Sequence, residues 1–508
     1  MKKLICLGLC LLLLCGCAAE TKGPYVPTGD GLASDKPTEP QGSEITEHTM
    51  SLAYSESHTL SPFNATDLTN RTLFSLIYQG LFAVDSNYTP NPVLCKSYTV
   101  SRDMTTYTFY LAEATFSDGK PVTAQDAAAS LKAAATSAYY SGRFSYVEDI
   151  SATDDALVIT LTTPYENLPL LLDVPIVPKD QVNQERPIGS GPYLYEEYAG
   201  TLRLRRRTDW WCSAVLSVTG QIITLVASET PSQLRDAFEF SGLGVVCADP
   251  GSETYVDFHS DYELWDCETG VFLYLACNEE SPLFSNVTLR QALTYAVNRD
   301  ELVEHYYRDF GYSAYLPASP KFPYYSLVLT KNLGYAPEKF TAALASVEPE
   351  EKTVVFLVNK DDGIRLRAAR TIAAGLTECG LKVTMSELAT ADYVAALENG
   401  EFDLYLGQTK LSANMDLSAF FQEEGTLSFG GMDDPLLYTL CQEALANTGN
   451  YYTLYKQILD DGMLCPLLFR SNAIFVQRGT FTNLYASRDN IFYYDLGTDS
   501  NTIRTIAE

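Results

Sequence analysis

Hydrophobic and polar positions alternate along this chain in ways that predict elements. Val271-Phe-Leu-Tyr-Leu-Ala276 is a short apolar run with the length of a buried strand. A polar turn follows from Asn278, and Asn286 is placed to cap a helix by accepting an orphan backbone N–H. Leu289, Ala292, Leu293, Ala296 and Val297 then fall on one helical face. Asn298, with Glu301 three residues on, starts the next helix. Upstream, the alternation in Thr49–Tyr54 predicts a strand, and Asp67 caps a helix carrying Leu73, Phe74, Leu76 and Ile77 that stops at Gly80. Thr105 to Leu111 alternates as a half-buried strand, and Thr123 with Asp126 opens a helix in capping-box fashion.

The second half repeats one theme. Thr353 to Val358 reads as a strand, Arg365 to Cys379 as a helix ended by Gly380, and Leu381 to Met385 as the next strand. Asp392 to Leu397 is a short helix and Phe402 to Leu406 another apolar strand. Strands alternating with helices predict parallel βαβ units and an α/β fold. Tyr451 to Asp461 reads as a helix, before the apolar run Met463 to Phe469.

The amino terminus adds a compartment. Lys2 and Lys3 precede an apolar run from Leu4 to Leu14, then Cys15-Gly16-Cys17, the parts of a secretory signal. The run is too short to span a bilayer, which takes about 20 apolar residues. Leu14 to Cys17 resembles a bacterial lipobox with Cys17 as the lipidated residue; plain secretion without lipid is the alternative. Residues 18–44 are rich in Gly, Pro, Ser, Thr and acidic residues and read as a flexible tether.

Charge and cysteines narrow the function classes. The formal charge of −29 becomes about −31 once Lys2 and Lys3 leave with the signal. Such a charge opposes binding to nucleic acid or to anionic lipid. The remainder exceeds one ordinary core, so two or more lobes are expected. Eight cysteines, from Cys95 to Cys465, are scattered without a C-x-x-C pair, so neither a zinc knuckle nor a redox motif is indicated. The four histidines lack helical ligand spacing, and no Gly-x-Ser-x-Gly elbow occurs, so no metal, cofactor or catalytic set is indicated. A Gly-rich loop at Ile188-Gly-Ser-Gly-Pro-Tyr193 lacks the Lys-Ser/Thr of a phosphate cradle. In Leu202–Arg207, leucines alternating with arginines read as a solvated strand face.

Several stretches resemble one family. Thr115-Phe-Ser-Asp-Gly-Lys-Pro-Val-Thr-Ala-Gln-Asp126 matches the pattern F-S-D-G-x-P-x-T-A-x-D almost letter for letter. Leu60-Ser-Pro62, Leu76-Ile-Tyr-Gln-Gly-Leu81, Gly189-Ser-Gly-Pro-Tyr193, Asn278 to Val303, Tyr335-Ala-Pro-Glu-Lys339 and Met463 to Phe469 also fit. Together they are similar to the family 5 extracellular solute-binding proteins. These are the oligopeptide- and dipeptide-binding components of ABC importers, with nickel-binding members among them. The likeness runs from about Thr49 to Ile503 and is thin between Gly242 and Glu263.

The resemblance implies an α/β, two-lobed periplasmic-binding-protein-like fold of type II. It has a hinge and an extra subdomain in the first lobe. Lobe one is expected over 45–265 plus 466–508, with the subdomain at about 66–180, and lobe two over 266–465. The role implied is a non-enzymatic, monomeric lipoprotein on the outer face of the cytoplasmic membrane. It would pass a peptide or peptide-like solute to ABC permease subunits. A surface receptor for a signal peptide or metal chelate, or a secreted hydrolase, are the alternatives. Ligand would lie between the lobes, placing Ser61, Asn64, Ser190, Asn278, Gln408 and Asp416 as candidates at strand ends. Each of these also reads as a cap or turn residue. In peptide-binding relatives, an aspartate in the stretch matching Gly407–Leu417 holds the ligand's ammonium; here that position is Ala413. Either Asp416 substitutes or the ligand lacks a free amine.

Overall fold

Met50–Tyr54 pairs in parallel with Ile222–Ala227, and Thr201–Arg206 and Tyr193–Tyr198 complete a four-stranded sheet. The computed structural model describes residues 50–494 apart from 215, 219, 349, 350, 482, 483 and 489, together with the backbone of Arg504–Ile506. The signal, Cys17 and the tether lie outside the described residues.

Thr106–Leu111 sits inside a five-stranded sheet, between Cys95–Val100 and Ala156–Leu161. Its alternation buries Tyr107 and Phe109 completely and leaves Tyr110 exposed. Helix Ala124–Ala135 packs on this sheet, and both halves of the Thr123–Asp126 capping box form. Asp126 accepts the backbone N–H groups of Thr123 and Lys179, so its carboxylate is a structural acceptor rather than an acid. Arg504–Ile506 lies parallel to Cys95–Val100, so the last described strand joins this sheet.

The third sheet, of seven strands, contains a parallel part. Thr353–Asn359 is parallel to both Lys382–Leu388 and Leu404–Lys410. Helices Gly363–Glu378 and Thr390–Glu398 make the crossovers, as strand–helix alternation predicts. The apolar face of Leu289, Ala292, Leu293, Ala296 and Val297 is buried among Phe340, Phe356 and Val358. Asn286 and Asn298 cap their helices through their side-chain oxygens.

The expected strand Val271–Ala276 is part of a much longer one, Tyr262–Cys277. Only its second half is continuously apolar. The first half carries Glu263, Asp266 and Glu268 and is mostly half-buried, so an apolar run shows only the buried part. It pairs antiparallel with Leu464–Gln477 on either side of a register break between Glu268 and Phe272. Gly270 sits in that break with φ +74°, a left-handed conformation suited to glycine. This ribbon joins Val245–Ala248 on one side to the parallel strands on the other. At the break, the Glu268 carboxylate receives the hydroxyls of Tyr88 and Ser319.

Other departures are local. The helix after Asp67 is two pieces, Leu68–Arg71 and Phe74–Ile77, with Thr72 turning its hydroxyl back to Thr69 O. Arg203 and Arg205 do lie on a solvated face, shared with Glu196. Arg207 is instead buried, donating to the carbonyls of Thr115, Phe116 and Gly191. Helix Pro435–Ala446, capped by Asp434, is an element the sequence reading does not anticipate. No disulfide joins any two of the eight described cysteines, which are all buried except the half-buried Cys212. No described helix is long and apolar enough to cross a membrane.

Candidate functional site

Met50–Tyr54, Ile222–Ala227 and Val245–Ala248 end on the same side, since the first pairs in parallel with the second and Ser51 bridges Leu243 in parallel. Crevices beyond the carboxyl ends of parallel strands are where α/β proteins bind ligands. Here those ends are Ser55, Glu229 and Asp249, and a cavity of about 320 Å³ opens among them, walled by Asp67, Tyr255 and Phe258.

The Glu229 carboxylate shapes one wall. It accepts the hydroxyls of Ser55 and Ser57 and the backbone N–H of Glu56. These bonds, those from Ser57 and Ser55 foremost, hold its carboxyl at about 2, so it is ionised at neutral pH. His58 Nδ1 lies 2.7 Å from Ser55 Oγ. The hydroxyl therefore stands between the imidazole and the carboxylate. A hydrolytic triad needs the imidazole in the middle, so this arrangement does not activate Ser55.

Asp249 faces Arg470, which sits in the long ribbon opposite Gly311. Arg470 donates to both Asp249 oxygens at 2.9 and 2.8 Å and to Gln408 Oε1 at 3.3 Å. Its guanidinium also lies 5.3 Å from the Tyr307 ring centre. Asp249 continues Val245–Ala248 and Gln408 belongs to Leu404–Lys410, so one guanidinium links two strands that are not neighbours in the sheet. Other long-range contacts join distant parts of the chain. Glu253 lies 3.5 Å from Arg367 and packs against Gly363, the first residue of helix Gly363–Glu378. Lys410 Nζ donates to Tyr139 Oη at 3.2 Å, and Gln442 to Tyr146 Oη at 3.0 Å.

Of the sequence-derived candidates, the structure brings Gln408 to this cluster. Asn64 is exposed on the turn after Met50–Tyr54. Ser61 is buried there, its hydroxyl without a hydrogen bond among the described residues. Ser190 is fully buried; its hydroxyl donates to Gln79 and its carbonyl accepts from Trp210 and Trp211. The Gly-rich loop around it is thus filled by protein contacts. Asn278 is a turn residue: its amide donates to Gly400 O and Phe402 O, and its oxygen accepts Glu280 N–H. It also edges a separate cavity of about 400 Å³ with Glu279 and Glu280. Asp416 accepts the backbone N–H of Ser418 at 2.9 Å, at the start of helix Ser418–Phe421. Ala413 is buried.

Asp249, Arg470, Ser55 and Glu229 escape a sequence reading. The available signals were an acidic residue closing the apolar strand Val245–Ala248 and an arginine inside the apolar run Leu467–Val476. Among the described residues, no group of three or more His, Cys, Asp or Glu side chains is placed to hold a metal ion.

Asp416 gives a direct test of its two readings. Burial pushes its carboxyl above the usual range, against the N–H and hydroxyl of Ser418 and the hydroxyl of Tyr146. A carboxyl raised in the folded state counts against stability above that value, and stability recovers as pH falls through it. Asp416→Asn retains an acceptor for Ser418 N–H and removes the desolvated charge. It is therefore expected to change stability at neutral pH by less than about 1 kcal/mol, in the upward direction. Thermal melts of the two proteins at pH 7 check this. A clear drop in melting temperature would mean that the charge itself holds the fold.

Comparison with known proteins places the chain. The family model for bacterial extracellular solute-binding proteins, family 5 middle, matches residues 89–424. The glutathione-binding protein GsiB of Escherichia coli strain K12 is 26% identical over 319 residues, covering 59% of this chain and 57% of the relative. The match thus spans little more than half the length of that curated relative. Among solved structures, the ABC transporter substrate-binding protein CtaP of Listeria monocytogenes superposes with a TM-score of 0.68 at 17% identity, covering 88% of this chain and 99% of that one. The oligopeptide-binding protein AppA of Bacillus subtilis, in complex with a nonapeptide, gives 0.57 at 18% identity over 85% and 94%. The two-lobed periplasmic-binding-protein fold is common to them, and the chain belongs to the bacterial extracellular solute-binding proteins of family 5.

Proposed function

We propose that this protein captures a peptide or peptide-like solute between its two lobes and delivers it to the membrane subunits of an ABC permease. It works as a monomer on the outer face of the cytoplasmic membrane, held there by lipid on Cys17 and the tether of residues 18–44. Residues 45–265 with 466–508 form the first lobe, with a subdomain at about 66–180, and residues 266–465 form the second. The observation that carries this reading is the cavity beyond Ser55, Glu229 and Asp249, which Arg470 ties to Gln408 across the ribbon. Closure of two lobes about such a hinge buries a ligand without chemistry. The glutathione and nonapeptide named for the relatives support a peptide-like cargo, as both are chains of amide-linked amino acids. Of the sequence candidates, Asn64 is exposed and Gln408 is tied to Arg470, while the bonds of Ser190 and Asn278 are spent within the fold.

Native mass spectrometry of protein purified from its host tests the reading. The expected result is a retained adduct that fragments as a peptide and is recovered chemically unchanged. Recovery of a cleaved product, or of a metal chelate alone, would overturn it.

A further inference from the structure

A set of hydrogen bonds joins the stretch from Tyr139 to Glu166 to the stretch from Lys410 to Thr448. Glu166 N–H donates to Leu445 O at 2.9 Å, and Thr448 N–H donates to the Glu166 carboxylate at 3.1 Å. Lys410 Nζ donates to Tyr139 Oη at 3.2 Å. Gln442 Nε2 lies between Tyr146 Oη at 3.0 Å and Ser418 Oγ at 3.1 Å. In the lobe assignment proposed above, the bonds to Tyr139, Tyr146 and Glu166 run from the first-lobe subdomain to the second lobe. They hold only while the lobes are together.

Asp416 belongs to this seam and is half-buried in it. Its carboxylate has the N–H and hydroxyl of Ser418 and the hydroxyl of Tyr146 as donors. The titratable groups around it are Tyr146 and Tyr165 on the subdomain side, and Cys441 and Tyr451 from helices Pro435–Ala446 and Tyr451–Asp461. Tyr438 faces Tyr146, and Glu166 faces Tyr451. No lysine, arginine or histidine pairs with Asp416 among the described residues. A carboxylate with no cation beside it is better solvated by water than by two hydroxyls and one amide. Its ionised form therefore favours parting of the seam, and its protonated form favours contact. Asn414 Oδ1, buried beside Tyr165 with no hydrogen bond among the described residues, adds to this balance, since water would satisfy it.

We propose that Asp416 makes lobe closure sensitive to pH: protonation from solvent draws the seam together, and ionisation lets it part. This rests on the solute-capture reading and adds a regulation to it, a firmer grip in acid surroundings. The sign follows from linkage. The carboxyl is held above its usual range while the seam is made and returns toward that range when water reaches it. Closure is thus favoured as pH falls through the raised value, and closure in turn takes up a proton.

The test is small-angle X-ray scattering of the full-length, solute-free protein between pH 7 and pH 5, with hydrogen exchange at the Glu166 and Thr448 amides followed alongside. Wild type is expected to contract as the pH falls, and both amides to exchange several-fold more slowly after correction for intrinsic rates. Asp416→Asn should stay contracted and protected across the range. Tyr146→Phe withdraws a hydroxyl from the carboxylate and should move the transition to higher pH; a residue that only packs would leave its midpoint in place. Unchanged dimensions and exchange in wild type, or the same response in D416N, would overturn the switch and leave solute capture, judged by the retained adduct, intact. Contraction without slower exchange at the two amides would place the moving contact elsewhere and equally remove Asp416. The wild-type profile needs no variant, so it decides even where one folds poorly.

Discussion

Replacing Arg299 by leucine is expected to lower the unfolding free energy by about 4 kcal/mol, the scale at which several buried acceptors lose their donors. Arg299 is 1% exposed and, among the described residues, the largest fully buried side chain. It donates to the carbonyls of Ala314, Pro466, Thr294 and Val297 and to the Thr294 hydroxyl. Its guanidinium also lies 4.3 Å from the Tyr315 ring centre. Among the described residues it has no carboxylate partner, so its charge is met by carbonyl dipoles and one aromatic face. Those carbonyls come from three separate places: the turn before helix Arg299–Tyr307, the segment after Gly311–Ser313, and the returning ribbon strand. Leucine would fill much of the volume and leave the carbonyls dry. Lysine would keep the charge but offer a single donor head in place of a fork, so R299K should recover only part of the loss. Urea unfolding midpoints at unchanged slope measure both. The expectation fails if R299L moves the midpoint no more than Arg367→Leu, which alters an exposed arginine.

Gly189→Ala should be nearly as damaging, at about 3 kcal/mol or more, because it overfills a backbone contact that has no side chain to yield. A Cβ there would lie 1.9 Å from Ile77 O and 2.7 Å from Ile77 C. The neighbouring Gly191 is as tightly held: its N–H donates to Ile77 O at 2.8 Å, and its own Cβ would meet Leu76 O at 2.5 Å. Gly189 O in turn accepts Ser117 N–H, so the loop is fixed between the end of Phe74–Ile77 and the Phe116–Asp118 turn. Gly142→Ala is the control, since nothing lies within 4 Å of a Cβ at that position. Equal melting temperatures for the two variants would show that the loop relaxes freely.

The Arg299 variants bear on the ribbon as well as on stability. Arg299 braces its returning strand through Pro466 O, four residues before Arg470. The register of Leu464–Gln477 against Val245–Ala248 then sets where Arg470 meets Asp249. Loosening the brace is expected to shift Arg470 against Asp249 as well as lower the melt.

Helix caps and crossovers were legible because their signals are local. Asn286, Asn298, Asp67 and Thr123 each bond a backbone N–H three residues away, and that geometry is written in the adjacent letters. The apolar face from Leu289 to Val297 and the strand–helix alternation after Thr353 likewise follow from periods of a few residues. The long ribbon was half legible, because its first half is only partly buried and carries Glu263, Asp266 and Glu268. Ser190 and Asn278 show the limit in the other direction. Their places at strand ends were readable, but whether their polar atoms face solvent or other carbonyls was not.

What the sequence by itself determined is the family, the α/β class and the local elements, since these rest on motifs and short periodicities. The tertiary structure alone decided the cavity. Asp249 and Arg470 are 221 residues apart, and neither carries a local mark of binding. They meet because Val245–Ala248 and Leu464–Gln477 are paired in one register, and a one-residue slip would turn Arg470 to the other face of the sheet.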